Sequence, residues 1–167
     1  MAAVTAKLVK ELRDKTGAGM MDCKKALVET NADLEAAIDL MRASGAAKAA
    51  KKAGRVASEG LVNVTISDDN KLAAILEVNS ETDFVTKGSA FIDFVEALGA
   101  LALKNKPESV ESFLSQKLDS GETVDEAREG IIAKIGENIS VRRVQIVSTD
   151  AGILGAYKHG DRIAVLT

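Results

Sequence analysis

The spacing of apolar residues changes near Gly60, and this change constrains the fold more than any other feature of the chain. Before Gly60, apolar side chains recur every three or four residues, which is typical of amphipathic helices. After it, the segments LVNVTIS and LAAILEVN alternate around the polar loop SDDNK, which indicates a β-hairpin. Three further strands are predicted in SVRRVQIVS, GILGAY and RIAVLT. The sequence therefore predicts an α+β fold, with a three-helix module followed by an antiparallel sheet packed with helices.

The predicted N-terminal helices have recognisable boundaries. Gly17 and Gly19 interrupt the first helical pattern, and the second begins near Met20 and turns Cys23 inward. Asp33 is a candidate N-cap for the third helix. Three helices in about 45 residues bury little surface, so part of the module is expected to remain available for docking.

Helical patterns return after the hairpin. Apolar residues at 91, 94, 95, 98 and 101 predict a long amphipathic helix. A shorter helix is predicted to open at Pro107. Residues 123–126, with the sequence TVDE, form a candidate capping box at the start of another helix.

Charge is divided unevenly along the chain. Residues 1–55 contain 11 Lys and Arg against 7 Asp and Glu, whereas residues 56–167 contain 11 against 18. The stretch AAKAAKKAGR at 46–55 is predicted to be a basic linker, helical where Ala and Lys favour it, and more typical of a solvated surface than of a nucleic-acid patch. A net charge of −3 and 3% aromatic residues argue against direct nucleic-acid binding.

The N-terminal residues alternate charged and apolar groups, which is unlike a secretory signal peptide. No uncharged apolar run approaches the roughly 20 residues that span a bilayer. One Cys and one His exclude an internal disulfide and any His-pair metal site. We therefore expect a cytoplasmic protein with a reduced thiol and without membrane association.

The sequence predicts no catalytic constellation, cofactor site or metal site. It lacks a phosphate-binding loop, a dinucleotide-binding glycine motif and a nucleophile elbow. The glycines in TGAGMM are better explained by a helix–helix turn than by a phosphate site. Cys23 is interpreted as a buried, inert thiol. His159 follows a predicted strand in YKHGDR, where a lone histidine is usually a turn residue.

The segment ETDFVTKGS allows two interpretations of Phe84. Phe84 precedes Phe91 by seven residues, so it could be the first core residue of the long helix. Composition alone favours the interpretation of Phe84 as a core residue. However, Gly88 and Ser89 intervene, and Ser89 is a candidate cap that would leave Phe84 on a loop beside Asp83.

Three motifs together resemble those of the bacterial elongation factor Ts family: TGAGMMDCKKAL at 16–27, LEVNSETDFV at 76–85 and KIGENISVRR at 134–143. They occur in the family's order, and AAKAAKKAG lies between the first two. The resemblance implies a ubiquitin-associated-like module with a basic linker at 1–55 and the first half of an α+β core at 56–150. It implies the opening strands of a second core half at 151–167, so the chain is expected to be truncated. The family's helical dimerisation insert and C-terminal module are absent from the sequence, so self-association is not expected.

The resemblance also implies guanine-nucleotide exchange on elongation factor Tu, with displacement of Mg²⁺ and release of GDP during translation elongation. Such an exchange factor performs no covalent chemistry. The implied wedge is Thr82, Asp83, Phe84 and Val85, with Phe84 inserting into the partner and Asp83 holding the loop or pairing with the partner. Docking contacts are implied for Met20, Met21, Lys24 and, near the partner's phosphate loop, His159.

The alternative function is a passive adaptor whose three-helix module binds a ubiquitin-like or chaperone partner. An Asp–Phe pair on a loop distinguishes the exchange-factor hypothesis from the adaptor hypothesis, because binding by an adaptor does not require an inserted side chain. Exposure of Phe84, and of at least one of Met20 and Met21, is therefore the structural expectation of the exchange-factor hypothesis.

Overall fold

The computed structural model describes residues 3–167, which form two compact units. The first unit holds the described residues up to Gly54 together with Glu129–Gly136, and the second holds Arg55–Arg128 and Glu137–Thr167. Seven helices and five strands make this an α+β protein, as the sequence predicts, over the part of the chain that is described. No helix in residues 3–167 is both long and apolar enough to cross a membrane.

The first unit is built from α1 (Ala6–Thr16), α2 (Met20–Glu29) and α3 (Leu34–Lys52). Asp33 caps α3 by accepting a 3.0 Å hydrogen bond from the Ala36 N–H, as predicted from the sequence. The basic stretch is the C-terminal part of α3 rather than a separate loop. Small residues from α2 and α3 let the helices approach closely, and the core consists of Val9, Leu12, Cys23, Ala26, Leu27 and Ala37.

The second unit contains a three-stranded antiparallel sheet in the order β1 (Glu59–Ile66), β2 (Leu72–Ser80), β3 (Ile139–Ser148). The central strand β2 is the most completely buried, because it is paired on both edges and covered by a helix. The β2–β3 register shifts between Glu77 and Val78 and then continues to the last pair, Ser80 with Ile139.

Helices cover this sheet. The one-turn helix α4 (Asp83–Thr86) follows β2 directly and precedes α5 (Ser89–Asn105). The predicted apolar face of α5 is confirmed, because Phe91, Phe94, Val95, Leu98 and Leu101 are all buried. The short helix α6 (Val110–Leu114) begins later than predicted, because a capping box between Ser109 and Ser112 sets its start, whereas Pro107 lies in the preceding loop.

The helix α7 (Val124–Ile135) starts at the predicted capping box. The Glu126 carboxylate accepts a 2.7 Å hydrogen bond from the Thr123 N–H, and the Thr123 hydroxyl accepts one from the Glu126 N–H. A separate hairpin follows β3, formed by β4 (Ala156–His159) and β5 (Ile163–Leu166). The strand predicted in GILGAY therefore begins later than expected, at Ala156, and continues to His159. Residues 152–155 pack as a connection, with Leu154 buried and Gly152 at a positive φ of 78°.

Candidate functional site

The segment that carries Phe84 is a one-turn helix at the end of β2. Thr82 is extended (φ −125°, ψ 158°) and precedes α4. Successive helical side chains point about 100° apart, so neighbouring residues in a single helical turn lie on different faces of the helix. Val85 is buried at 7% relative exposure, whereas Phe84 is 81% exposed. Phe84 is thus an isolated aromatic ring displayed on a short helix.

The interpretation of Phe84 as a core residue is wrong. Phe84 and Phe91 do not share a helix, because the chain leaves the helical path between α4 and α5. Gly88 is extended there (φ −80°, ψ 131°) and is the N-cap of α5, a position that the sequence had suggested for Ser89. The break turns Phe84 outward, while Phe91 at the start of α5 is completely buried.

Lys87 organises the charge beside the exposed ring. Its Nζ lies 2.8 Å from Asp83 Oδ2 and 6.0 Å from the centroid of the Phe84 ring. The hydrogen bond from Lys87, followed by its charge, lowers the pKa of Asp83 below the ordinary 3.8, and Arg162 lowers it further. Asp83 is therefore a carboxylate paired with Lys87, the C-cap residue of α4. The sequence interpretation missed Lys87, although its i,i+4 spacing from Asp83 was available as a signal.

Four residues anchor the segment that leads into α4, and we call them the carboxylate clasp: Glu81, Thr82, Glu137 and Asn138. Glu137 Oε2 accepts from the Thr82 N–H at 2.9 Å, and Oε1 accepts from the Thr82 hydroxyl at 2.7 Å. In the opposite direction, Glu81 Oε1 accepts from the Asn138 N–H at 2.6 Å. Sequence reasoning treated Glu137 only as part of the motif KIGENISVRR, and no local pattern reveals its partner.

The β4–β5 turn lies against β1, one of the two edge strands of the sheet. The Val62 N–H donates to the Asp161 carbonyl at 2.8 Å, and Arg162 forms an ion pair and hydrogen bond with Glu59. His159 is exposed at the end of β4, and its Nδ1 lies 3.3 Å from the Tyr157 hydroxyl. The two rings stack with centroids 6.4 Å apart.

The β4–β5 turn lies beside α4. Thr86 of α4 and Asp161 of the turn line the same cavity along β1, and the charge of Arg162 is the smallest of the causes that lower the pKa of Asp83. The second unit therefore brings two sequence-distant features, the Phe84 helix and the His159 turn, to one region. Sequence reasoning singled out both features, but nothing in their spacing showed that they are close.

The first unit presents a separate exposed surface on α2. Met20 and Met21 are 57% and 64% exposed, and Lys24 is exposed beside them. Both methionines thus meet the expectation that at least one lies outside the small core. Val28 is also exposed, and it extends the i,i+4 row of Met20 and Lys24 by one turn. Sequence reasoning missed Val28.

Residues 3–167 contain no group of three or more His, Cys, Asp or Glu side chains placed to hold a metal ion. Cys23 is fully buried in the helical core, with its Sγ 3.9 Å from the Thr16 hydroxyl.

Comparison with known proteins identifies the family. A family model described as Elongation factor TS matches residues 81–167, just over half of the chain, from the carboxylate clasp to the β4–β5 hairpin. Elongation factor Ts of Ruthia magnifica subsp. Calyptogena magnifica is 66% identical over 164 residues, which are 98% of this chain and 55% of that protein.

Elongation factor Ts of Methylococcus capsulatus is 53% identical, over 98% of this chain and 56% of its own length. That of Arthrospira platensis is 54% identical, over 99% of this chain and 67% of its own length. The chain thus spans little more than half the length of the first two relatives. These matches extend across both units, and the chain belongs to the elongation factor Ts family.

Proposed function

We propose that the chain is a guanine-nucleotide exchange factor that binds elongation factor Tu and promotes release of GDP during translation elongation. The observation that carries this proposal is the 81% exposure of Phe84 on a one-turn helix anchored at the end of a buried strand. Burial of a Phe side chain against a partner contributes roughly 1.5–3 kcal/mol to binding. A ring that inserts into a partner requires both the exposure and the constraint.

The proposed mechanism requires no covalent step. GDP is held on a GTPase partly through Mg²⁺, which bridges the nucleotide and a hydroxyl of the phosphate-binding loop. Insertion of the Phe84 ring between elements of the GTPase displaces the loops that support this ion. The exchange factor and the nucleotide then weaken each other's binding by the same coupling free energy.

The remaining candidate residues supply docking. Met20, Met21 and Lys24 form a surface in which two flexible thioether side chains flank a cation, and such a surface adapts to an apolar helix with an acidic border. In this proposal the three-helix module is ubiquitin-associated-like and binds the GTPase domain. His159 contacts the partner near its phosphate loop, beside the site where Phe84 inserts.

The decisive experiment measures release of fluorescent GDP from elongation factor Tu by stopped flow, with excess unlabelled GDP and increasing amounts of the chain. We expect the chain to accelerate release and the Phe84→Ala variant to lose about tenfold or more of this acceleration. Truncation of an interface anchor costs at least about 2 kcal/mol, and each 1.4 kcal/mol corresponds to about tenfold.

The adaptor alternative makes a different forecast. An adaptor binds through α2 without changing the rate of GDP release, and its binding does not depend on Phe84. Lack of acceleration by the unaltered chain, at concentrations where complex formation is demonstrated, would exclude the exchange function.

A further inference from the structure

The backbone pairing of β2 with β3 ends just before the Phe84 helix. Ser80 and Ile139 are the last paired residues. In an antiparallel register the next opposed residues are Glu81 with Asn138 and Thr82 with Glu137. At both positions a backbone N–H donates to the side-chain carboxylate of the opposed residue, whereas a continued antiparallel ladder would join only one of two successive pairs by backbone hydrogen bonds. The carboxylate clasp is therefore an extension of the sheet by side chains.

The two halves of the clasp are reciprocal. Glu137 accepts from the backbone N–H of Thr82 at 2.9 Å, and Glu81 accepts from the backbone N–H of Asn138 at 2.6 Å. Hydrogen bonds to a carboxylate are stronger than those to a neutral carbonyl. The bond to the Glu137 side chain also frees the Thr82 backbone from the geometry of the sheet, so the chain can turn at once into α4.

Thr82 is held from three sides. Besides the Thr82 N–H, the Thr82 hydroxyl donates to Glu137 at 2.7 Å, and the Thr82 carbonyl accepts from the buried Ser80 hydroxyl at 3.1 Å. The Thr82 hydroxyl donates to Glu137, and the Thr82 side chain makes no capping hydrogen bond to α4. The residue two positions before Phe84 thus has its orientation set by β2 and by Glu137.

The helix α4 cannot hold this orientation without support. It has only four residues, and helices this short are unstable in isolation because nucleation is costly. Phe84 contributes little packing, since its ring is exposed. The direction of the ring therefore depends on Val85 packing beneath it and on the anchor at Thr82.

We propose that Glu137 is a positioning residue for nucleotide exchange, because it holds Thr82 and thereby keeps the exposed Phe84 ring in the orientation that inserts into the GTPase partner. This proposal rests on the exchange function proposed above and adds a residue from the α7–β3 junction to it. A ring that is ordered before binding avoids the entropic cost of ordering during insertion. Glu137 acts through Thr82 and need not touch the partner.

Three variants separate the bonds of Glu137. Glu137→Ala removes both acceptors. Glu137→Gln retains an oxygen for the Thr82 N–H, while its amide N–H can donate to the Thr82 hydroxyl, so it is expected to rescue function. Thr82→Val removes only the hydroxyl bond and serves as a second route if Glu137→Ala folds poorly. Glu108→Ala, at an exposed glutamate in the loop before α6, is the matched control.

The first measurement uses the chain alone. Amide hydrogen exchange followed by NMR reports on the Thr82 N–H directly, because that proton is in the bond to Glu137. We expect exchange at Thr82 to become about tenfold faster in Glu137→Ala, corresponding to about 1.4 kcal/mol, and to remain near the unaltered rate in Glu137→Gln. The Val78 amide in the centre of β2 should be unchanged.

The second measurement is GDP release from the partner as a function of chain concentration. We expect the maximal release rate to fall about tenfold in Glu137→Ala and less in Thr82→Val. The half-saturating concentration should change less than twofold, because the α2 docking surface is intact. A purely structural defect lowers the fraction of folded chain instead, which raises the half-saturating concentration and leaves the maximal rate unchanged.

The outcomes are distinguishable. The proposal is supported when Glu137→Ala loses both amide protection at Thr82 and maximal rate, while Glu137→Gln and Glu108→Ala retain them. It is overturned when Glu137→Ala keeps the unaltered maximal rate in an assay where Phe84→Ala reduces it. If even the unaltered chain fails to accelerate GDP release, the proposed function is wrong. Hydrogen exchange then still decides whether Glu137 orders Thr82.

Discussion

The Glu137 carboxylate binds both donors of Thr82, the backbone N–H at 2.9 Å and the hydroxyl at 2.7 Å, across 55 residues of sequence. This contact joins the end of β2 to the segment that leads from α7 into β3. It lies two residues from an aromatic ring that is 81% exposed. An ordered scaffold and an unpartnered apolar group are therefore adjacent, which is the combination that an insertion mechanism requires.

Phe84 and Phe91 should respond oppositely to truncation. Phe91→Ala is expected to lower the free energy of unfolding by about 3–5 kcal/mol, because it leaves a cavity under the fully buried start of α5. Phe84→Ala is expected to change it by less than about 0.5 kcal/mol, because an exposed ring leaves no cavity. Urea denaturation followed by circular dichroism measures both. A large loss of stability in Phe84→Ala would indicate that Phe84 is a core residue and would remove the main support for its role as a wedge.

The methionine surface on α2 should control affinity rather than maximal rate. The double variant Met20→Ala with Met21→Ala is expected to raise the half-saturating concentration in the GDP-release assay by about tenfold. Val56→Ala is the matched control, because Val56 is an apolar side chain that is 82% exposed and lies outside the proposed contact surfaces. An unchanged half-saturating concentration in the double variant would exclude these methionines from docking.

Gly60 should be intolerant of any side chain. A Cβ at this position would lie 2.3 Å from the Val78 carbonyl oxygen and 2.8 Å from the Asn79 Cα, and backbone atoms cannot move aside. Gly60→Ala is expected to cost at least about 1–3 kcal/mol of unfolding free energy by forcing β1 away from β2. Gly54→Ala provides the comparison, since a Cβ there meets nothing within 4 Å. Equal unfolding curves for the two variants would contradict the tight β1–β2 approach.

The pKa of Asp83 should depend on Lys87. The hydrogen bond and charge of Lys87 hold the pKa of Asp83 below 3.8, so the ion pair is present at neutral pH. The pKa of Asp83 is lower in the folded state than in the unfolded state. The Asp83–Lys87 pair therefore contributes its full stabilisation at pH values above the unfolded-state pKa of Asp83. It is lost as the pH falls through the folded-state value, in a window below about pH 4.

Lys87→Ala is expected to raise the pKa of Asp83 toward 3.8, as followed by NMR titration of the side-chain carboxyl carbon. Asp69 is an internal reference, because its pKa is lowered by the Ser67 hydroxyl and the Lys71 backbone N–H rather than by Lys87. A shift of both carboxyl groups in the variant would indicate a general structural change instead of loss of the pair.

Interactions between residues close in sequence made much of the fold predictable. The capping box at Thr123, the cap at Asp33 and the apolar face of α5 depend on residues within a few positions of one another, so their patterns are visible in the sequence. Predictions failed where one local signal competed with another. Pro107 suggested a helix start, but the Ser109–Ser112 capping box satisfies the first N–H groups and delays α6.

Periodicity, caps and motifs are properties of neighbouring residues, so most of the helices and strands, the family and the candidate contact segments are predictable from the sequence. The outward orientation of Phe84 and the hydrogen bonds from Thr82 to Glu137 depend on how the chain folds. The same is true of the ion pair of Arg162 with Glu59, which spans 103 residues. These contacts join distant positions whose encounter is set by strand register and by the packing of the hairpin against β1. A carboxylate and its distant hydrogen-bond donor leave no spacing pattern, so the partners of Glu137 and Arg162 appear only when the chain is folded.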